Sequence, residues 1–522
     1  MKSIFKYTCL GLLAGSMLVT SCSKEQIETA PTQSMSGQGL LANANAALVT
    51  LNGIYREMYT AGWSTTGNTH QCFGITAYSL CADVMGEDHV MGAQGSGWFW
   101  FDACYNVKSR AHQSTWRSYD LWYAYYNWIA NANYIIAAKE SMGGTPSEVN
   151  YVIGQAYAIR AYSYFMLSQY FARTLVGHES EKCVPLYTEP TSPETKGQPR
   201  STNAEVYAQI DKDINEAVTL LEGTTQKNIA HIGYAVALGI KARICSVENK
   251  WGDAAAAAHA AIDAAAADAG RRILPVAQFI GMNAAGDTSG NPTSNNVIWG
   301  AGIIADQVGM YASFFAHMDL EGGKSYAQTA PKRINAELYA KMSPTDTRLA
   351  WWDTTNKYQQ EKFHFSDAST WLGDYIFMRV EEMYLTAAEA ECRAGNEAAA
   401  KEDLMALMKV RDAGYTTSKT GTALGKTSAP ADETGSLLEE ILIQRRIELW
   451  GEFGRMYDLK RLKQGFIRTE EQGWPKAALL TGRPTDDPEA YMNVLTIPQA
   501  EFDGNENMTV DTDQNPTGDY PE

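Results

Sequence analysis

The stretch that most constrains this chain lies near its C-terminus: Arg445-Arg446-Ile447-Glu448-Leu449-Trp450-Gly451-Glu452-Phe453-Gly454-Arg455-Met456-Tyr457-Asp458-Leu459-Lys460-Arg461. Leu438, Ile441, Leu442, Leu449, Phe453 and Met456 recur with helical spacing, which predicts a helix that buries one stripe. Arg445, Glu448, Glu452 and Arg455 share that spacing, so they predict an ion-pair ladder on one helical face, locking the helix to its neighbours. Inside such a helix Gly451 and Gly454 would each cost about 1 kcal/mol relative to Ala, and close backbone packing is the expected compensation.

Composition narrows what this helix can belong to. With 522 residues, 45% of them apolar, the chain can bury a large core, either in several domains or in one helical unit with insertions. A net charge of -17 argues against nucleic acid, whose phosphates demand basic patches. Lysines and arginines are scattered, so no polybasic membrane arm is visible. The 28 Tyr and 13 Trp are a surplus over core needs, and such amphipathic rings suit a surface that holds ligands or partners.

The N-terminus reads as an address. Lys2 and Lys6 precede an apolar run, residues 9–19, that is too short to span a bilayer. It ends in Leu18-Val19-Thr20-Ser21-Cys22, similar to a bacterial lipobox, so residues 1–21 are expected to be a signal peptide and Cys22 the lipidated residue. A plain secretory signal ending near the same place is the alternative. Residues 22–37, rich in Thr, Ser and Gln, fit a flexible tether. Six cysteines remain beyond Cys9 and Cys22, with no C-x-x-C pair to support zinc or thiol redox chemistry. Cys245 and Cys392 sit on apolar helical faces, and a bridge among Cys72, Cys81 and Cys104 stays open.

Helical periodicity covers 40–59, 116–139, 148–171, 230–247, 254–267, 375–394 and 397–411. Thr202-Asn203-Ala204-Glu205 has the spacing of a capping box and starts a helix to about residue 221. The junctions at Trp251-Gly252 and at Ala390, Gly395 and Ala399 have the small-residue spacing of tetratricopeptide helix pairs. The two lie far apart, which predicts a solenoid interrupted by an insertion. Residues 271–372 are that insertion: a Gly- and Asn-rich loop at 281–295, a short buried strand at 296–300 and a short helix at 334–342.

Catalytic motifs are missing. No H-E-x-x-H, G-x-S-x-G, Walker A or strand-anchored G-x-G-x-x-G occurs, and no histidines pair at i,i+4. The glycine-rich run Gly92–Gly97 has no helix predicted after it, which argues against phosphate binding. Asp511-Thr512-Asp513 starts like a calcium loop but lacks the glycine and closing glutamate at the required places, so calcium is unsupported and no metal or cofactor is expected. Glycoside hydrolysis needs two carboxylates at a set separation, and nothing singles out a pair among sixty acids. No catalytic residue is assigned.

What stands out is aromatic density on loops. Trp98-Phe99-Trp100-Phe101 follows the glycine run, Tyr311, Phe314 and Phe315 follow the strand, and Trp63 sits in a glycine-flanked loop. Sugars present flat C–H faces to such rings, and rings on a rigid scaffold lose little entropy when a ligand arrives. If the first run is instead a strand, Trp98 and Trp100 share one buried face with Phe99 and Phe101 outside, or the reverse. Trp351 and Trp352 end an apolar run and read as core.

The run from Arg445 to Arg461 closely resembles the C-terminal signature of SusD/RagB-like outer-membrane lipoproteins of gut Bacteroidetes. Other segments agree: Arg160-Ala161 through Tyr170 with the family's R-A-x-x-Y-F-x-L-x-x-x-Y, Asp346-Thr347-Arg348 with D-P-R, and Ile497-Pro498 through Glu501 and Gln514-Asn515-Pro516 with the closing motifs. The resemblance implies an all-α, tetratricopeptide-like helical solenoid with a loop-rich, mostly irregular inserted ligand-binding subdomain. Its expected regions are an N-terminal SusD-like part at 38–270, the insertion at 271–372 and a C-terminal SusD/RagB part at 373–522. It also implies a non-enzymatic protein, lipid-anchored in the outer membrane and facing the cell exterior. Such a protein captures an oligosaccharide or polysaccharide and delivers it to a SusC-like TonB-dependent transporter. Asp83 lies in a segment similar to one bordering the family's ligand pocket, which makes it a ligand-binding candidate; capping a nearby helix is the equal alternative. Capture of peptides or another nutrient by the same architecture is the second reading, and a surface glycosidase the third.

Overall fold

The computed structural model describes residue 39 and residues 41–61, 67–106, 116–278, 296–320 and 325–518. The signal peptide, Cys22, its tether and Trp63 lie outside the described residues. Among the described residues no helix is long and apolar enough to cross a membrane.

Helices carry the architecture. We number the main ones α1 (Ala44–Glu57), α2 (Ile75–Met85), α3 (Trp116–Ala137), α4 (Pro146–Phe171), α5 (Asn203–Leu221), α6 (Tyr234–Val247), α7 (Trp251–Ala269), α8 (Val380–Arg393), α9 (Glu397–Arg411), α10 (Leu437–Glu448) and α11 (Arg455–Leu462). Their starts are written locally. Thr145 and Thr202 each accept the amide three residues on, and Glu148 and Glu205 return the bond, so both capping boxes are complete. At the far end of α7, Gly270 adopts φ 64°, the left-handed cap that glycine supplies without a Cβ penalty.

Helix α4 packs between α3 and α5, α5 touches α6, α6 pairs with α7, and α7 lies against α8, which pairs with α9. Helix pairs from both ends of the chain therefore stack into one all-α, tetratricopeptide-like solenoid. The strands are short: β1 (His89–Met91), β2 (Lys182–Pro185), β3 (Arg200–Thr202), β4 (Val297–Ala301), β5 (Lys332–Ile334), β6 (Trp352–Asp353), β7 (Gln359–Gln360) and β8 (Tyr375–Arg379). They form an antiparallel sheet in the order β1-β5-β7-β6 and two ribbons, β2-β3 and β4-β8.

Two expectations need correction. Residues 375–394 are not helical throughout, because Tyr375–Arg379 is strand β8 and α8 begins at Val380. All five β8 residues are buried, as are all five of β4, and pairing the two satisfies backbone groups that burial would otherwise orphan. The glycine-rich run is followed by a single helical turn, Trp100–Ala103, rather than by no helix. All six described cysteines are free thiols, with Cys245 and Cys392 buried, so no bridge joins Cys72, Cys81 and Cys104.

The larger correction concerns the signature stretch. It is not one helix: α10 ends at Glu448, Gly451 and Gly454 turn the chain with φ 78° and 104°, and α11 restarts at Arg455. Hydrophobic spacing continued across the break, which is why periodicity alone missed it. The glycines serve the turn. A Cβ on Gly454 would lie 2.6 Å from the Tyr457 ring and 2.9 Å from Ala82 Cβ, and one on Gly451 would lie 2.5 Å from Phe363. Gly454→Ala is therefore expected to lower stability by at least about 1–3 kcal/mol, the cost of a strained backbone, with the clash adding to it. Chemical denaturation measures this directly, and an unchanged midpoint would contradict the reading.

With the helix broken, the four charges cannot stack on one face. They spread outward instead. Glu448 is fully buried and accepts from Arg379 (2.8 Å), Arg411 (2.8 and 2.9 Å) and Arg348 (3.4 Å). Glu452 takes Arg379 at 2.6 Å and pairs with Lys362. Arg445 reaches Asp458 at 3.0 Å, and Arg455 reaches Glu87 at 2.9 Å and Asp88 at 3.1 Å. The turn thus ties β8, α9, the end of α2 and the insertion into one network, which fulfils the locking role by a different geometry.

Candidate functional site

Five half-buried rings gather from five separate segments: His70, Trp98, Tyr311, Tyr326 and Trp371. His70 lies nearly parallel to Trp98 (centroids 5.2 Å apart, 19° between planes) and to Tyr311 (6.3 Å, 14°). Tyr326 crosses this row, 5.5 Å from Tyr311 and 5.9 Å from Trp98, and Trp371 extends it 4.8 Å beyond Tyr311.

The backbone holding these rings is strained. Phe99 beside Trp98, Met310 beside Tyr311, and Trp371 itself adopt φ 61°, 45° and 62°, a left-handed region that side chains avoid at a cost of about 1–3 kcal/mol each. Such strain persists only where surroundings over-determine it. Here they do. Arg117, fully buried, holds Asp102 at 2.8 Å and the Gln71 carbonyl at 3.0 Å, and the Gln71 amide oxygen accepts the Phe99 amide at 2.7 Å. One guanidinium therefore joins the loop bearing His70 to the loop bearing Trp98. Ser313 caps the turn Phe314–Met318 behind Tyr311. Asp367 pairs with Leu372 and accepts the Ser369 amide at 2.9 Å, closing the tight turn that presents Trp371.

Beneath the row, His317 Nε2 donates to the His70 carbonyl at 2.7 Å, and His70 Nδ1 shares a hydrogen bond with the Tyr326 hydroxyl. Burial pushes the His317 pKa down to about 3 and lowers that of His70, so both rings stay neutral near pH 7. The platform itself is uncharged, rigid and aromatic, which suits the C–H face of a neutral ring.

The loop residues singled out from sequence divide by burial. Trp98 and Tyr311 belong to the row. Phe314 and Phe315 are 2% and 1% exposed and support it from below, packing on Phe363, Phe365 and Tyr375. Trp100 is buried as well. Asp83 is buried in α2, and its carboxylate accepts the Arg455 amide at 2.7 Å, the first residue of α11. That is the capping alternative, played across the fold; burial pushes the carboxyl up to about 7 even though the Arg455 amide opposes it. Trp351 and Trp352 are buried core. His70, Tyr326 and Trp371 were not singled out. The signal for Trp371 was present, a lone indole in the polar run Asp367-Ala368-Ser369-Thr370.

Asp513, from the calcium-like stretch, is paired with Lys182 at 2.8 Å. Among the described residues no group of three or more His, Cys, Asp or Glu is placed to hold a metal ion.

Comparison with known proteins adds a family. Residues 77–245 match a family model described as "Starch-binding associating with outer membrane", and residues 304–517 match the model of the SusD family. This chain belongs to the SusD family. No curated protein matches it. Among solved structures, a SusD-like carbohydrate binding protein from Bacteroides vulgatus is 24% identical with a TM-score of 0.74, covering 92% of this chain and 100% of its own. A SusD superfamily protein from Bacteroides thetaiotaomicron is 20% identical with a TM-score of 0.70, covering 91% and 100%. Surface glycan-binding protein A from Bacteroides fluxus is 16% identical with a TM-score of 0.62, covering 91% and 99%. At these identities the likeness is one of fold. Within the SusD framework the ring row draws on both matched segments, Trp98 from the first and Tyr311, Tyr326 and Trp371 from the second.

Proposed function

We propose that this SusD-family chain is a cell-surface binding protein that captures a glycan on the ring row and performs no chemistry on it. The observation that carries this is the row itself: near-parallel, neutral, half-exposed rings held by strained backbone, where ordering has been completed before ligand arrives. Trp98, His70 and Tyr311 stack on successive sugar faces, while Tyr326 and Trp371 flank them. Two fold relatives support the reading through what they bind: one is a SusD-like carbohydrate binding protein, another a surface glycan-binding protein.

On this reading Cys22 carries the lipid anchor, the protein faces outward from the outer membrane, and captured glycan passes to a SusC-like TonB-dependent transporter. The family model's description of outer-membrane association supports the location. Affinity electrophoresis and calorimetry of mature protein against plant, host and microbial glycans test the binding step. At least one glycan should retard the protein. No binding across the panel, with peptides retained instead, would overturn the reading.

A further inference from the structure

One imidazole near the ring row is enclosed by carboxylates. His364 lies in the segment between β7 and Trp371, and its side chain is 20% exposed. Nδ1 faces the carboxylate of buried Asp319 at 3.3 Å. Nε2 faces the Glu361 carboxylate at 3.2 Å and the Glu361 carbonyl at 3.1 Å. A neutral imidazole has one N–H and one lone pair, so on one side an acceptor would meet a lone pair. The imidazolium has two N–H groups and satisfies both sides. Burial would lower the His364 pKa, but the Asp319 hydrogen bond and the Asp319 and Glu361 charges outweigh it and raise the value. Lys362, the next cation along the chain, pairs instead with Glu452 and with the Glu448 and Trp450 carbonyls.

Asp319 passes this contact on to the rings. It ends the helical turn Phe314–Met318 that stands behind Tyr311. Its second carboxylate oxygen accepts the Phe365 amide at 2.7 Å, and its carbonyl accepts the hydroxyl of Ser325, the residue before Tyr326. Phe365 in turn meets Trp371 edge-on at 5.5 Å and tilts against Phe315 at 5.5 Å. The segments that carry Tyr311, Tyr326 and Trp371 therefore meet at Asp319. A buried carboxylate is costly unless a cation or donors stand beside it, and His364 supplies one such cation.

We propose that His364 is a positioning residue for glycan capture: protonated at both nitrogens, it clamps Asp319, and through Asp319 it fixes the segments bearing Tyr311, Tyr326 and Trp371. It acts through these segments and not by touching sugar. The proposal rests on the ring row being the glycan site, and it adds that a proton sets the row. A histidine whose folded value is raised contributes stability that is fully present below its unfolded value of about 6.5 and is lost as pH rises through the folded one. Tight capture therefore belongs to mildly acidic conditions and slackens in alkaline ones. His70 and His317, within and beneath the row, are shifted down by burial and titrate at lower pH. Lys332, whose charge His317 feels, has a pKa of about 7 and titrates in the same range as His364. A His364 variant, rather than the wild-type profile alone, therefore identifies the group.

The test uses mature protein. Histidine NMR should give the signal that His364→Gln loses a midpoint above about 6.5, and Glu361→Gln should lower it. A wild-type midpoint below that value would overturn the proposal. Gel retention by galactomannan, xyloglucan and dextran, whose charge does not change with pH, is then compared at about pH 5.5 and about pH 8.5. The polysaccharide that holds wild type should hold it roughly fivefold more weakly at the higher pH, while His364→Gln should be weak and equal at both. Melting temperatures show whether His364→Gln folds. If it does not, Glu361→Gln, at a side chain 35% exposed, decides by moving the midpoint of the retention profile to lower pH. The same profile in wild type and variant would overturn the proposal and leave the ring row standing. If none of the three polysaccharides is retained at either pH, the glycan reading falls, and Trp371 emission tests the clamp by itself. That emission is the difference between wild type and Trp371→Phe, and it should shift between the two pH values unless His364 is replaced. An emission that does not move would overturn the clamp as well.

Discussion

Replacing Glu448 with alanine is expected to lower the free energy of unfolding by about 3–5 kcal/mol, the cost of breaking a buried ion pair by deleting one partner. Glu448 is the hub of the signature network. Arg348, Arg379 and Arg411 are fully buried and converge on its two oxygens, so deletion removes one shared anion from all three, leaving them to Asp346, Glu381 and Glu452. Glu452→Ala should be milder because Glu452 serves one guanidinium, Arg379, and Lys362, whose ammonium keeps the Glu448 and Trp450 carbonyls. Denaturant unfolding compares the variants, and a Glu448→Ala midpoint equal to wild type would refute the role. Acid should have a related effect. Burial alone would raise these carboxyl pKa values, yet Arg411 and Arg379 hold Glu448 well below the usual range, and Arg455 and Arg446 hold Glu87 down to about 2. Carboxylates with depressed folded-state values contribute stability above their unfolded values, which is lost as pH falls through the folded ones. The melting temperature of wild type should therefore drop from about pH 4.5 toward pH 2.

The second large effect concerns the ring row. Trp371→Ala should weaken glycan affinity by roughly 30-fold, about 2 kcal/mol, the size expected when a stacking ring at a binding hot spot is removed. Stability should change little by comparison, because Trp371 is half-exposed and stands on a tight turn closed by Asp367 rather than in the core. Trp98→Ala should show a similar loss with a somewhat larger stability cost, since Trp98 packs on His70 and Tyr326. Calorimetry with the best oligosaccharide separates the two effects. Full affinity in a folded Trp371→Ala protein would remove that ring from the site.

Local chemistry was the legible part of this fold. Capping at Thr202, the strand at Val297–Ala301 and the returning helix Glu397–Arg411 all follow from spacing and side-chain type within a few residues. Pairings set over long distances were not. Tyr375–Arg379 reads as the first turn of a helix until β4, more than seventy residues earlier, is known to lie beside it. The turn at Gly451 and Gly454 hides because apolar spacing continues across it, and only positive φ reveals the break. At the candidate site the sequence exposed rings on loops, among them Trp98 and Tyr311. It could not show that His70, Tyr326 and Trp371 would join them from three other loops.

The signature stretch and the ring row are distinct parts of one structure. Aromatic packing runs between them: Phe315 meets Phe314, Phe314 meets Phe363, and Phe363 stacks on Trp450 within the signature itself. Arg348 and Lys362 of the network lie in the same stretch of chain as Tyr311, Tyr326 and Trp371, while His70 and Trp98 come from loops before α3. A crystal structure of the mature protein soaked with its best-binding oligosaccharide tests this division most directly. The account predicts a pyranose face against Trp98, His70 or Tyr311, with no sugar contact to Glu448, Glu452 or Arg455. Ligand seated on the charged network, with the ring row bare, would contradict it.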